Sequence, residues 1–142
     1  MLSLAARVAD IVGVHCSLPS GVQDADSVAD LAADRVAEKV RWVHEAAAAA
    51  GRGTDDVEMQ FSVYHCQVSR PGHAPAPSAS SFAALMAASP EVLAGSPAVL
   101  VGDVEQCIDL LQARRELYGF SYLNLGADID SLAPLVARLA GT

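Results

Sequence analysis

The sequence predicts an α/β fold with parallel strands, because three strand-like segments alternate with helical ones along its 142 residues. Residues 10–16 are a continuous apolar run, residues 57–68 alternate between apolar and polar side chains, and residues 120–125 are a short aromatic and apolar run. Strands separated by helical segments pair in parallel through right-handed crossovers. We therefore expect three adjacent parallel strands with helices covering one face.

The first half of the chain is assigned from its periodicity and its turn residues. Residues 1–9 have apolar side chains at helical spacing, and residues 17–26 contain Pro19 and Gly21, which indicate a loop. Apolar positions then recur at helical spacing up to a pair of glycines. This pattern predicts one long helix over residues 27–50.

The region after the second strand has a different composition. The stretch RPGHAPAPSASS, residues 70–81, is of low complexity and is predicted to be a mobile loop. Two short helices are expected after it, around residues 82–88 and 90–94.

The last third of the chain carries clear helix boundaries. Asp103 and Gln106 have the spacing of a capping box, which starts a helix at about residue 104, and Gly119 can adopt the left-handed conformation that ends it. The expected buried stripe of this helix is Ile108, Leu111 and Leu117, and the expected solvated side includes Gln112, Arg114, Arg115 and Glu116.

Composition limits the class of protein. The formal net charge is -8 and the sequence has no basic cluster, which argues against a nucleic-acid partner. No secretory signal and no apolar run of about 18 residues occurs, so we expect no membrane association and a cytoplasmic location. Cys16, Cys66 and Cys107 are odd in number and widely spaced, which favours reduced thiols. Residues 1–142 are expected to form one domain.

Five short sequence motifs occur along the chain in a fixed order. The motifs are LAARVADIVGV, DRVAEKVRWVHEAA, PAVLVGDVEQ, ARRELYGFSY and LAPLVARLAG. In this order and spacing the chain resembles luciferase-like monooxygenases, in particular the branch that depends on the deazaflavin coenzyme F420. Members of that family are (β/α)8 TIM barrels, and a barrel takes about 250 residues. The resemblance therefore implies a partial barrel, the C-terminal half, with about three parallel strands and covering helices.

Two His-Cys dipeptides suggest a metal site, because imidazole and thiolate are the usual zinc ligands. These are His15-Cys16 and His65-Cys66. Successive strand residues point to opposite faces, so each dipeptide offers only one ligand to a common site. Two ligands fall short of the usual four, and we therefore predict no metal. The cysteines are then small packing residues. His15 and His65 lie near the carboxyl ends of their strands, where barrel enzymes place their chemistry.

The resemblance implies which residues face the coenzyme, F420 or alternatively FMN. It assigns Ser17, Ser20 and Gly21, in the loop after the first strand, to the phosphate-bearing tail of the coenzyme, with His15 beside them. An ordinary serine turn is the alternative. Substrate contacts are assigned to His65, Arg70 and His73, for which solvated loop charges are the alternative. No catalytic residue is assigned, because the sequence has no nucleophile motif, P-loop or dinucleotide fingerprint.

Two functional hypotheses follow, and the strand geometry disfavours a third, a His/Cys metal-binding protein. The first is a luciferase-like F420-dependent oxidoreductase in truncated or partial form, with weak or absent coenzyme binding by the isolated chain. The second is a non-catalytic half-barrel remnant or a pairing subunit.

A half-barrel should associate with a partner, because its sheet has bare edges and one uncovered face. The expected partners are a second copy, with the two open sheets facing each other, or a separate N-terminal half-barrel chain. Six apolar residues lie on alternate strand positions, one set of which would lack a partner layer: Val12, Val14, Phe61, Val63, Leu123 and Leu125.

Overall fold

The computed structural model describes residues 1–19, 21–22, 24–69, 91–126 and 128–141, and within them strands and helices alternate. The helices are α1 (Leu2–Val8), α2 (Ala25–Ala29), α3 (Ala33–Ala49), α4 (Val104–Tyr118) and α5 (Ile129–Leu139). The strands are β1 (Ile11–Val14), β2 (Glu58–Ser62), β3 (His65–Ser69), β4 (Val99–Asp103) and β5 (Phe120–Asn124). The predicted mobile loop at 70–81 and the predicted helix at 82–88 lie outside the described residues. The other predicted short helix, at 90–94, is a turn where it is described.

A three-stranded parallel sheet is the centre of the fold. Its order is β1-β2-β5, with Val12 beside Met59 and Phe61 beside Leu123. The three predicted strand segments are therefore confirmed as parallel neighbours in chain order. The chain has an α/β fold with open parallel sheets.

The segment predicted as one strand over residues 57–68 is divided into β2 and β3 by a bend. The Val63 amide donates to the Asn124 carbonyl at 2.8 Å, whereas the Tyr64 amide donates to the Ala98 carbonyl at 2.8 Å. The chain thus changes its partner from β5 to β4, and β3 and β4 form a second parallel sheet. The sequence pattern predicts no strand where β4 lies, because that apolar run is short and directly precedes a helix cap.

Two helices, α2 and α3, replace the single helix predicted over residues 27–50. The Asp30 carbonyl accepts from Lys39 Nζ at 2.8 Å, and the Leu31 carbonyl accepts from Ser96 Oγ at 2.5 Å. Bonds to these side chains hold the two carbonyls in a turn and interrupt the helical pattern. Ser96 is 65 residues from Leu31, so local periodicity could not reveal this break.

The boundaries of α4 agree with the sequence. The Gln106 amide donates to Asp103 Oδ1 at 2.9 Å, the Asp103 amide donates to Gln106 Oε1 at 3.0 Å, and Gly119 has a φ of 75°. The predicted burial of Leu117 is wrong, since this side chain is 70% exposed. Helical spacing brings Tyr118 to the buried face instead.

Arg114 was expected on the solvated side of α4, and this prediction is wrong as well. Its side chain is half-buried, with the guanidinium against the turn that leads into β4. It donates to the carbonyls of Ser96, Pro97 and Val99, at 3.2, 3.3 and 2.6 Å. These bonds fasten α4 to the start of β4.

The two faces of the central sheet differ sharply in chemistry. Val12, Val14, Phe61 and Val63 are buried, the first three in a cluster with apolar residues of α3, so this alternate set faces the helices. Leu123 and Leu125 are half-buried. The opposite, open face carries mainly polar side chains, which are exposed or half-exposed: Ile11, His15, Glu58, Gln60, Ser62, Tyr122 and Asn124. The uncovered face is therefore a polar surface.

Candidate functional site

The open face of the sheet brings an imidazole, an amide and a hydroxyl together. A β-carbon at Gly13 would lie 2.8 Å from both Gln60 Oε1 and His15 Nε2, so these two side chains lie over the glycine. Gln60 Nε2 donates to Ser62 Oγ at 3.2 Å. Parallel pairing of β1 and β2 creates this cluster, because alternate residues of both strands point to the same face.

This cluster can donate and accept hydrogen bonds without carrying a fixed charge. Such groups suit a polar heteroaromatic ring or a sugar hydroxyl. Only His15 was assigned to a site from the sequence, while Gly13, Gln60 and Ser62 were missed. The signal that could have found the last two is the alternation itself, because they are the polar members of a strand with an apolar face.

Lys39 and Asp30 hold the backbone at the end of β1. Lys39 is only 5% exposed, and its Nζ donates to Asp30 Oδ2 at 2.6 Å and to the His15 carbonyl at 3.0 Å. Asp30 Oδ2 also accepts from the Ser17 amide at 2.8 Å. With its bond to the Asp30 carbonyl, the ammonium uses all three donors, which makes its burial tolerable. These hydrogen bonds of Lys39 and Asp30, called the Lys39–Asp30 latch below, fix the backbone position from which the His15 side chain projects.

The loop assigned to the coenzyme tail has two of its amides engaged within the protein. The Ser17 amide donates to Asp30, and the Gly21 amide donates to the Leu18 carbonyl at 3.0 Å in a turn where Gly21 has a φ of 75°. A carboxylate beside the Ser17 amide opposes a phosphate there. Ser20 lies outside the described residues. The assignment of this loop to a phosphate remains a prediction.

The predicted substrate residues do not all lie beside His15. His65 is the first residue of β3, in the second sheet, and its amide donates to the Ala98 carbonyl at 3.0 Å. Arg70 and His73 lie outside the described residues. Within the described ranges, no group of three or more His, Cys, Asp and Glu residues is arranged to hold a metal ion.

The three cysteines are free thiols in partly or fully buried positions. Burial raises the pKa of the Cys66 thiol to about 11, and burial also raises the pKa of Cys107. Cys16 Sγ lies 3.5 Å from the Tyr64 hydroxyl, and burial followed by this contact raises the pKa of Tyr64. At neutral pH, Cys66 and Cys107 are therefore protonated, which makes them poor nucleophiles.

Raising the pH should lower the free energy of unfolding through Cys66. Its thiol keeps its proton in the folded chain up to about pH 11, whereas its ordinary value is 9.0. The contribution is fully present below pH 9 and is lost between pH 9 and about 11, where only the unfolded chain releases the proton. Urea unfolding of the native chain and of Cys66→Ala at a series of pH values measures this. The variant should show a shallower decline over that range, and an equal decline would contradict the prediction.

Two grooves flank the central sheet. The groove along β1 has a volume of about 860 Å³ and is lined by Leu2, Ile11, His15, Ser17 and Trp42 among others. The groove along β5 has a volume of about 730 Å³ and is bordered by Gln60, by Tyr122 and by the apolar side of α5. The structure thus brings His15 and Ser17 into one groove, at an edge of the sheet.

The fold is similar to that of the monooxygenase RslO1 from Streptomyces bottropensis, with a TM-score of 0.54 and 18% sequence identity. The alignment covers 97% of this chain and 42% of the monooxygenase chain, so this chain spans less than half of its length. At this identity the similarity shows a shared fold. No known family profile and no curated protein sequence matches the chain. Within the described ranges, no helix has both the length and the apolar character needed to cross a membrane.

Proposed function

We propose that this chain is the C-terminal half of a luciferase-like, F420-dependent oxidoreductase, in which it supplies one wall of the coenzyme pocket. The observation that carries the proposal is the polar open face of a parallel sheet whose other face packs against helices. The proposal is supported by the fold shared with a monooxygenase and by the sequence motifs that resemble luciferase-like monooxygenases. FMN is the alternative coenzyme.

The residues of this chain would bind and orient the coenzyme. When bound, the deazaflavin or flavin ring accepts or donates the hydride, and the protein supplies position and polarity. Gln60 and Ser62 offer neutral hydrogen-bonding groups toward the ring or its polyol chain, and His15 projects from the end of β1 beside them. The Lys39 and Asp30 latch keeps the His15 backbone in place.

The cluster fits the ring side of such a coenzyme better than its phosphate. Asp30 accepts from the Ser17 amide and is paired with Lys39, and Arg35 is paired with Glu38 and, at 3.7 Å, with Asp30, so each of these two positive charges already has a carboxylate partner. A phosphate at Ser17 would have to displace or face this carboxylate. We therefore do not assign the phosphate affinity to the Ser17 amide.

A non-catalytic pairing subunit is the second candidate. It is favoured by the central sheet, because within the described residues its outer strands β1 and β5 pair only with β2, and a free strand edge is a template for association. In that case the open face would serve association rather than coenzyme binding.

The isolated chain is expected to bind F420 or FMN with a dissociation constant of about 1 mM or weaker, because few pre-organised contacts remain. Amide shifts of the ¹⁵N-labelled chain should move on addition of millimolar FMN, with the largest changes at Gly13, His15, Gln60 and Ser62. Riboflavin, which lacks the phosphate, should produce nearly the same pattern.

The Gln60→Ala variant should lose these shifts, while Leu110→Ala, on the exposed side of α4, should keep them. Shifts confined to residues away from the open face would contradict the proposal. A micromolar constant would show that the chain holds a complete site and would contradict the assignment of a single wall.

A further inference from the structure

We propose that the open face recognises its ligand by a cyclic imide edge, in which a ring N–H donates to Gln60 Oε1 and the neighbouring ring carbonyl accepts from His15 Nε2. The pyrimidinedione ring of uracil, of flavins and of deazaflavins carries this edge. The inference rests on the proposed function, because it names the part of the coenzyme ring that this chain would hold.

Two polar side-chain atoms converge above Gly13. A β-carbon on Gly13 would lie 2.8 Å from Gln60 Oε1 and 2.8 Å from His15 Nε2, so the two atoms stand close together over the same point. Within the described residues, neither atom forms a hydrogen bond with the rest of the chain. His15 is exposed and Gln60 is half-exposed. A ligand can therefore reach both atoms at once.

The bond between Gln60 and Ser62 determines which group Gln60 presents. Gln60 Nε2 donates to Ser62 Oγ at 3.2 Å, so the amide oxygen is the atom directed toward Gly13. This oxygen can only accept, and it requires a donor on the ligand. The imidazole of His15 is a donor when its proton is on Nε2, and it then requires an acceptor. A neighbouring acceptor and donor match the N–H and C=O of a cyclic imide.

The charges of the open face disfavour an anionic group at this position. Among the described residues of the face, Glu58 carries a full negative charge, and none is a lysine or an arginine. Glu58 Oε1 accepts from Ser121 Oγ at 3.2 Å. A phosphate or carboxylate placed here would be repelled by Glu58. A neutral imide edge forms the same hydrogen bonds to Gln60 and His15 without that repulsion.

Gly13 permits this arrangement because it has no side chain. A distance of 2.8 Å is shorter than a contact with a β-carbon allows, so a side chain here would push Gln60 and His15 apart. Pairing of β1 with β2 places Gln60 opposite Gly13, and the Lys39–Asp30 latch holds the backbone of His15. Gly13 therefore determines whether the face can hold the imide edge.

Two pairs of small molecules test the edge. The first pair is FMN and N3-methyl-FMN, in which a methyl group replaces the ring N–H. The second pair is 1-methyluracil, which keeps the edge, and 3-methyluracil, which lacks the N–H. FMN and 1-methyluracil should shift the Gly13 backbone amide and the Gln60 side-chain amide of the ¹⁵N-labelled native chain. The N3-methylated partner in each pair should bind about tenfold more weakly, because the Gln60 oxygen then faces a methyl group instead of a donor.

Substitutions around the two atoms should change this discrimination. Gly13→Ala should abolish it, because the added methyl group separates Gln60 from His15. The control Gly53→Ala makes the same change away from the face, where the nearest atom is Asp56 Oδ2 at 3.6 Å, and should keep the discrimination. Ser62→Ala should weaken the discrimination by releasing the Gln60 amide, whereas Ser62→Thr keeps the hydroxyl and should retain it. Urea unfolding establishes that each variant is folded.

Equal affinities for FMN and N3-methyl-FMN at the open face would overturn the imide edge and leave the proposed function in place, since the coenzyme would then bind through another part, such as its polyol chain. Preference for 1-methyluracil over 3-methyluracil, without any binding of FMN, would support the edge and contradict the proposed function. An absence of shifts with both FMN and 1-methyluracil would overturn both. Full discrimination by Gly13→Ala would overturn the role of Gly13.

Discussion

Replacing Lys39 with methionine is expected to lower the free energy of unfolding by about 3–5 kcal/mol. The ammonium is buried and is bonded to Asp30 Oδ2, to the Asp30 carbonyl and to the His15 carbonyl. Methionine fills similar space but removes the ammonium from both carbonyls and from the carboxylate, which keeps only the Ser17 amide and the more distant Arg35 as partners. Urea unfolding followed by circular dichroism measures the change.

The matched control for this change is Arg41→Met, on the same helix. Arg41 is exposed and lies 3.8 Å from Glu38, so its loss should change the free energy of unfolding by less than about 1 kcal/mol. Adding Asp30→Asn to Lys39→Met should recover part of the loss, because asparagine removes the negative charge that has lost its ammonium partner, and its side-chain oxygen can still accept from the Ser17 amide. A loss below about 1 kcal/mol for Lys39→Met would mean that the latch does not hold the end of β1.

Phe61→Ala should lower the free energy of unfolding by about 3–5 kcal/mol as well. Phe61 is fully buried in the central strand, and its ring stacks on Phe120 with the centroids 4.8 Å apart. Phe120 in turn stacks on Tyr118 at 5.3 Å. Truncation would leave a cavity in the layer that joins the sheet to α4.

Tyr122→Ala is the control, because Tyr122 is an aromatic residue of the same sheet on the opposite, open face. Its loss should be less than about 1 kcal/mol in the monomer. Equal losses at the two positions would show that the open face is covered in solution as tightly as the helix face. Thermal and urea unfolding at low concentration give both values.

Much of the fold can be predicted because its signals are local. Asp103 and Gln106 satisfy the first amides of α4 from within one turn, and Gly119 ends the helix through its own left-handed backbone. The three strand segments carry their apolar patterns within a few residues. Parallel pairing then follows from the helices between them.

The site was only partly predictable. His15 could be singled out because it ends an apolar strand, and the polar positions of β2 were visible as an alternation. That Gln60 and His15 meet over Gly13 depends on the register of β1 on β2, which alternation does not set. The engagement of the Ser17 amide by Asp30 depends on the fold of the loop between β1 and α3.

By itself, the sequence determined the α/β class, the parallel order of its three main strand segments and the ends of α4, since short-range spacing and capping control these features. Only the tertiary structure decided where the chain breaks between α2 and α3 and between β2 and β3. In both places a residue distant in the chain takes the hydrogen bond that local structure would have used, Ser96 at the Leu31 carbonyl and Ala98 at the Tyr64 amide. The polar character of the open face is likewise tertiary, because it requires the strands to be side by side before their alternate residues become one surface.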